Sequence, residues 1–148
     1  MSREENLAAQ ERFGAEVANG GNIDAIDELV SEDFVDHDPA PDQGPGVAGF
    51  KDFWRAFRTA FPDLAVEVEH LVADEDNVAF AYRATGTHQG PFVGIAATGR
   101  GISVRGVQIS KFADGRLVER WGSSDELGIL RQLGIDAIGG QQPERMPE

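Results

Sequence analysis

The feature that most constrains this chain is a change of hydrophobic period near Leu64. Before that residue, apolar side chains recur at spacings of three and four, which is typical of amphipathic helices. From Leu64 onward, Val66 and Val68 alternate with small or charged residues, and a period of two predicts strands with one buried face. Helices followed by strands are typical of an α+β domain in which the helices cover one face of an antiparallel sheet.

Two helices are predicted before the first extended segment. Ser2 and Glu5 have the spacing of a capping box, and the first helix runs to about Asn19. Asn22 is placed to cap a short second helix. The apolar face of that second helix comprises Ile23, Ile26, Leu29 and Val30.

An extended segment and a third helix follow. Residues 34–38 form the extended segment, a Pro- and Gly-rich loop comes next, and Pro62 ends the third helix. The apolar stripe of this helix consists of Phe50, Phe53, Trp54, Phe57 and Phe61.

Four strands and a last helix complete the predicted fold. Polar residues 74–77 join the strand that begins at Leu64 to a second strand, and a Gly-rich crossing covers 86–101. Asp114 and Gly115 form a tight turn between the last two strands, about 102–112 and 117–121. The final helix covers about 125–133, and residues 1–138 are predicted to be one domain followed by a flexible polar tail, 139–148.

Composition excludes several classes of function. A chain of 148 residues suits one domain, and a formal net charge of −13 repels nucleic acid and anionic membrane surfaces. The absence of cysteine excludes disulfides, thiolate nucleophiles and cysteine-based metal sites, and no histidine spacing supports another metal site. The start of the chain has no basic region followed by an apolar run, so we expect a cytoplasmic protein.

Several motifs occur in order along the chain. Segment 33–39 reads Asp-Phe-Val-Asp-His-Asp-Pro, and 86–95 reads Gly-Thr-His-Gln-Gly-Pro-Phe-Val-Gly-Ile. After Ala-Thr-Gly-Arg at 97–100, residues 114–121 read Asp-Gly-Arg-Leu-Val-Glu-Arg-Trp, and 128–134 read Gly-Ile-Leu-Arg-Gln-Leu-Gly. From about Ser2 to Gly134, the sequence resembles the SnoaL-like polyketide cyclases, a family of the nuclear-transport-factor-two-like superfamily.

This resemblance implies a cone-shaped α+β barrel, in which a strongly curved antiparallel sheet packs on about three N-terminal helices and encloses an apolar pocket. It also implies a cofactor-independent cyclase that closes a ring by intramolecular aldol condensation, or a related lyase or isomerase, on a hydrophobic carbonyl-bearing molecule. The acid that moves the proton in such enzymes falls at Asp125. Many members have a histidine where this chain has Arg120.

A ring-closing aldol reaction needs a base, donors for the enolate oxygen and a dry cavity. Asp125 is the predicted base, although a charged helix start is an alternative explanation of this residue. Gln108 and His37 are predicted to orient or stabilise the oxygen, with a cross-strand hydrogen bond and a structural histidine as the alternatives. Arg120 is predicted to contact substrate or to form a surface ion pair. The remaining predicted ligand contacts are Trp54, Phe57, Tyr82, His88 and Phe92, with the core or, for His88, a solvent-facing loop as the alternative.

Two other functions stay open from the sequence. A relative of limonene epoxide hydrolase would use two acids bridged by arginine to activate water, with Asp125 and Arg120 or Arg105 in those roles. A binding module would hold an apolar small molecule without reaction. Because the long strands mix polar and apolar residues on both faces, we expect a homodimer formed through the strands, but the parity that faces the pocket is not determined.

Overall fold

The computed structural model describes residues 2–135. They form helices packed on one five-stranded sheet, so the predicted α+β class is confirmed. The predicted tail, 139–148, lies outside the described residues. No helix within residues 2–135 is long and apolar enough to cross a membrane.

Helix α1, Arg3–Phe13, begins with the predicted capping box. The Ser2 hydroxyl accepts a bond of 3.1 Å from the Glu5 backbone N–H, and the Ser2 N–H donates to the Glu5 carboxylate at 2.8 Å. These bonds hold the pKa of Glu5 below its ordinary value. A π-helical turn, Gly14–Ala18, continues the helix and ends one residue before the predicted end.

The second helical segment is shorter than predicted. It consists of a 3₁₀ turn, Ile23–Ala25, and helix α2, Ile26–Leu29. Val30 was predicted to lie on this helix but is the first residue of strand β1, Val30–Asp36, with φ −122° and ψ 135°. A β-branched residue is well suited to this extended conformation. The Val30 side chain is buried in the strand.

Helix α3, Gly46–Ala60, starts one turn before its aromatic stripe and ends just before Phe61. Trp54 contacts both hydrophobic clusters of the protein. One cluster packs beneath α1, α2 and β1, and the other packs around Phe61. Helix α3 therefore links the two clusters through its row of aromatic side chains.

The helices are followed by four long antiparallel strands, as predicted. The order across the sheet is β1-β5-β4-β3-β2, and the Asp114–Gly115 turn has the two positive φ angles, 52° and 81°, of a tight hairpin. Strand β1 adds an edge that runs parallel to β5, so the sheet is mixed and is not closed. The bounds are β2 Ala65–Ala73, β3 Asn77–Thr87, β4 Gly101–Ala113 and β5 Arg116–Ser124.

Side chains of the sheet alternate between an inner face, which the helices cover, and an outer face. On β4, Val104 and Phe112 are buried on the inner face, whereas Val107 and Ile109 are 57% and 45% exposed on the outer face. Helix α4, Glu126–Gln132, closes one end of the inner face and buries Ile129 in the second cluster.

Candidate active site

An ion pair is buried on the inner face where β1 meets β5. Asp36 and Arg120 are register partners, and Arg120 Nη1 donates to Asp36 Oδ1 at 2.9 Å. The two side chains are only 6% and 18% exposed, respectively. Both charges are held in place, because breaking a sheltered pair leaves a charge without its partner.

Arg120 also binds the neighbouring strand. Its Nε donates to Gln108 Oε1 at 2.8 Å, and Gln108 Nε2 donates to the Ser110 hydroxyl at 3.0 Å. The guanidinium therefore bridges a carboxylate on β1 and an amide on β4. Strands β1, β4 and β5 contribute to its orientation, and the Asp38 carbonyl in the loop after β1 accepts a further bond from Arg120 Nη1 at 3.2 Å.

The loop after β1 fixes the acid of this pair. Asp36 Oδ1 accepts a second bond, from the Asp38 N–H at 3.0 Å, and Asp36 Oδ2 accepts from Gln43 Nε2 at 3.0 Å. The Asp38 carboxylate in turn accepts from the Gly122 N–H at 2.9 Å. A carboxylate engaged by three donors serves to hold Arg120 and is poorly placed to move toward a ligand.

Two glycines give large polar side chains room on the inner face. A Cβ at Gly122 would lie 2.7 Å from Arg120 Nη2, and one at Gly106 would lie 2.4 Å from the Tyr82 hydroxyl. Burial raises the pKa of Tyr82, and the charge of Arg120 and a bond with Ser124 lower it in part. Tyr82 is thus a neutral phenol at neutral pH and remains a hydrogen-bond donor.

Aromatic rings fill the interior beside this network. We define the aromatic compartment as Trp54, Phe57, Phe61 and Phe92. The Phe57 ring centroid lies 6.3 Å from Trp54, 5.3 Å from Phe61 and 5.9 Å from Phe92. A small cavity of about 10 Å³, about the room of one water molecule, lies between α1 and the sheet. Packed rings therefore occupy the aromatic compartment, where we expected an open apolar pocket. That cavity is lined by Ala9, Gln10, Phe13, Leu29, Gln108, Phe112 and Leu117.

The sequence model of the SnoaL-like polyketide cyclase family matches residues 8–133, which include every side chain of this network and of the aromatic compartment. The chain belongs to that family. This confirms the resemblance found in the sequence motifs.

Three solved structures illustrate the similarity to SnoaL-like proteins. TsrD from Streptomyces laurentii is 28% identical with a TM-score of 0.80, and the alignment covers 90% of this chain and 98% of TsrD. AclR from Streptomyces galilaeus, a candidate hydroxylase, is 32% identical with a TM-score of 0.79 and coverages of 90% and 83%. IdmH from Streptomyces antibioticus, a candidate polyketide cyclase, is 31% identical with a TM-score of 0.75 and coverages of 88% and 99%. No curated protein matches the chain significantly.

In this SnoaL-like protein, Asp125 lies at the end of the inner face that α4 closes. Its side chain is exposed and caps α4, where Oδ1 accepts from the Gly128 N–H at 2.8 Å. Ser124, the preceding residue, is four positions from Arg120 along β5, a separation of roughly 13 Å between Cα atoms. The structure therefore does not bring Asp125 into contact with the ion pair, and its catalytic role stays a prediction.

His37 lies on the outer face of the sheet. Its ring stacks on Trp121 with centroids 4.6 Å apart, and Nε2 is 2.9 Å from Glu119 Oε1, which lowers the pKa of that carboxyl. His37 does point away from Asp36, as expected, but Asp36 has the inward parity. The sheet thus separates His37 from Gln108.

The other predicted residues form two groups. Gln108, Arg120 and Tyr82 meet on the inner face, whereas Trp54, Phe57 and Phe92 pack together in the aromatic compartment. Arg120 forms a buried ion pair and not the surface pair that we had considered, because Asp36 approaches it from β1. His88 is fully buried, so the solvent-facing alternative is wrong.

Sequence reasoning missed Asp36, Gln43 and Ser110. One signal for Asp36 existed, because it shares strand parity with Phe34, which is a natural core residue. Its partner lies 84 residues away, and no local pattern links the two. Among residues 2–135, no group of three or more His, Asp or Glu side chains is arranged to hold a metal ion.

Proposed function

We propose that this protein catalyses a cofactor-independent ring closure, or a related lyase or isomerase reaction, on a hydrophobic carbonyl-bearing molecule. The observation that carries the proposal is the cation on the inner face, Arg120, held by Asp36 and Gln108. A cation fixed before the reaction stabilises an enolate oxygen without the cost of reorganising its surroundings. Membership of the SnoaL-like family and the similarity to IdmH support this choice.

Hydrogen-bond donors extend along β5 from the ion pair toward Asp125. Arg120 Nη2 lies against Gly122, and the Tyr82 hydroxyl lies against Gly106, the register partner of Ser124. A substrate lying along this path would place one carbonyl oxygen on Arg120 and Tyr82 and its neighbouring C–H near Asp125. Such a pose requires the aromatic compartment to open.

The proposed reaction balances without an added reactant. The Asp125 carboxylate takes a proton from the carbon beside a carbonyl, and the electron pair moves onto the oxygen held by Arg120 and Tyr82. The resulting carbanion equivalent forms a bond to a second carbonyl carbon of the same molecule. The new alkoxide takes back the proton, so the product is an isomer of the substrate.

The arrangement of charges favours this reaction over epoxide hydrolysis. Water activation of the kind we considered uses two acids bridged by arginine, whereas Arg120 bridges one carboxylate and one amide. Asp38 presents only its backbone carbonyl to Arg120, at 3.2 Å. One acid held with donors suits enolate stabilisation.

Proton exchange in D₂O tests the proposal before any natural substrate is known. We would use a tricyclic aromatic methyl ester with a β-keto side chain and follow loss of its α-proton by NMR. Wild type is expected to accelerate exchange and to give an isomeric product whose mass differs from that of the ester only by the deuterium taken up, and a mass gain of one oxygen would point instead to hydroxylation. Arg120→Met is expected to lower the exchange rate about 100-fold, as for loss of one oxyanion donor.

The control is Arg116→Met, which removes an exposed arginine from the same strand. Arg120→Lys keeps the charge and covers the case in which Arg120→Met unfolds. Exchange at the wild-type rate in both Arg120 variants would contradict the proposal. Unchanged exchange in Asp125→Asn would remove Asp125 from the mechanism, and binding of the ester to wild type without exchange would leave only the ligand-binding module.

A further inference from the structure

His88 is a buried histidine whose tautomer is fixed by a neighbour. Its side chain is 0% exposed, and its ring centroid lies 5.6 Å from that of Phe61 in the aromatic compartment. The Thr98 backbone N–H donates to His88 Nδ1 at 3.2 Å, and the Thr98 hydroxyl lies 3.0 Å from the same nitrogen. A nitrogen that accepts from a backbone N–H carries no proton, so the neutral ring holds its proton on Nε2.

That Nε2–H has no acceptor among residues 2–135. The same holds for the indole Nε1–H of Trp54. Only one other buried side-chain nitrogen or oxygen in the described part of the chain lacks a hydrogen-bond partner, the Oδ1 atom of Asn6 on α1. Buried donors without acceptors are unfavourable, and native proteins rarely keep them without a reason.

Both donors belong to the same region of the interior. Trp54 contacts Phe57, Phe57 contacts Phe61, and Phe61 contacts His88. Phe92 packs on both Phe57 and Phe61, with centroids 5.9 and 5.5 Å away. The donors therefore flank the rings that a ligand would have to displace or stack on.

Phe92 is the member of the compartment that a loop supplies. It begins a tight turn closed by two bonds between Phe92 and Ile95, and Val93 in that turn has a φ of 41° and is 62% exposed. A positive φ is unfavourable for a β-branched residue. Phe92 is thus carried by a short exposed turn, whereas Trp54, Phe57 and Phe61 belong to α3 or its C-terminal end.

We propose that His88 and Trp54 are positioning residues whose N–H groups bind acceptor oxygens of a planar aromatic ligand that takes the place of Phe92. The proposal rests on the proposed function only in the choice of a carbonyl-bearing ligand. It assigns specificity for oxygen to the apolar end of the interior, away from Arg120. Thr98 acts through His88 by keeping the proton on Nε2.

The test uses a matched pair of probes, 9-fluorenone and fluorene, which differ by one carbonyl oxygen. In a Trp121→Phe background Trp54 is the one remaining tryptophan of the chain, and its fluorescence reports binding without turnover. We expect fluorenone to bind about tenfold more tightly than fluorene, the factor typical of one neutral hydrogen bond. His88→Phe keeps an aromatic ring and is expected to reduce this preference, because only the Trp54 N–H then remains as a donor.

His70→Phe, on the exposed outer face of β2, is the matched control and should keep the preference. His88→Met, which also lacks the ring N–H, is the second variant should His88→Phe fail to fold, and the ring ¹⁵N shifts of His88 in the wild-type protein are expected to show the proton on Nε2. Equal affinity of wild type for the two probes would overturn the proposal. So would an undiminished preference in both His88→Phe and His88→Met, or NMR evidence of a proton on Nδ1.

The outcome is separable from that of the proposed function. Arg120→Met is expected to lose proton exchange and keep its preference for fluorenone, because the two sites lie at different places on the inner face. A reduced preference in the His88 variants with full exchange would support the positioning role alone. A preference unaffected by His88 would overturn it and leave the role of Arg120 intact.

Discussion

The inner and outer faces of the same sheet invert the usual relation between polarity and exposure. Gln108 and Ile109 are neighbours on β4, yet the amide is enclosed in a network with Arg120 and Ser110, while Ile109 is 45% exposed. On the inner face each polar group of this network has a hydrogen-bond partner, and Arg120 joins β5 to both β1 and β4. Polarity alone does not assign a strand residue to a face, because a well-placed partner can offset the cost of burial.

The outer face has a continuous apolar band. Ile109 pairs with Ala79 and Trp121, and Val107 pairs with Ala81 and Ser123, so the band crosses three strands. The charged groups of the outer face are exposed, as in the pairs that Arg83 and Arg105 form with Glu69. Apolar areas of this kind are commonly covered, and we therefore expect two copies of the chain to associate through this face.

The largest effect should come from breaking the inner ion pair. Arg120→Met leaves Asp36 buried without its cation, and we expect it to lower the free energy of unfolding by about 3 kcal/mol. Arg105→Met removes an exposed pair on the outer face and should cost less than about 1 kcal/mol. Urea unfolding followed by circular dichroism measures both variants, and equal losses would break the distinction between the faces.

A smaller effect should appear in self-association. Val107→Glu places a charge in the centre of the apolar band, and we expect it to weaken dimerisation by about 2 kcal/mol, roughly 30-fold in Kd. Sedimentation velocity across micromolar concentrations measures the shift. Ala113→Glu, at the exposed end of the same strand, is the control. A wild-type protein that sediments as a monomer throughout this range would contradict the expectation.

The smallest effect concerns Tyr82, whose pKa is raised by burial on the inner face. The pKa of Tyr82 in the folded protein exceeds the ordinary value of about 10. The contribution of its neutral hydroxyl to the free energy of unfolding is therefore complete below about pH 10 and is lost as the pH rises through the folded pKa. Tyr82→Phe should remove this alkaline loss in chemical unfolding. Tyr82 is the one tyrosine of the chain, so absorbance at alkaline pH reports its titration directly. Ionisation at the ordinary pKa in the folded protein would show that the hydroxyl is not sheltered.

Features fixed by neighbours in sequence were predictable. The capping box at Ser2 and the turn at Asp114 and Gly115 depend on residues at most three positions apart, and both occur as predicted. The four-strand meander also follows from a period that each strand carries within itself.

Features fixed by distant pairing were not predictable. The parallel alignment of β1 with β5 decides that Asp36 faces inward and His37 outward, and nothing near Asp36 in the sequence indicates that partner. The alternation correctly separates these two residues but does not identify the inner face. The filled interior depends on how four separate rings pack together, which no periodicity describes.

The pairing of the first strand with the last also sets the order in which the protein becomes complete during synthesis. Until the ribosome has made β5, the Asp36 carboxylate lacks the Arg120 guanidinium as its partner and stays hydrated. The edge of β4 that will bind β5 also stays unpaired until then. Closing so long a loop is slow compared with forming local hairpins. A chain that stops before β5 therefore lacks the guanidinium and exposes an open sheet edge, which marks it for association or proteolysis before it can bind a ligand.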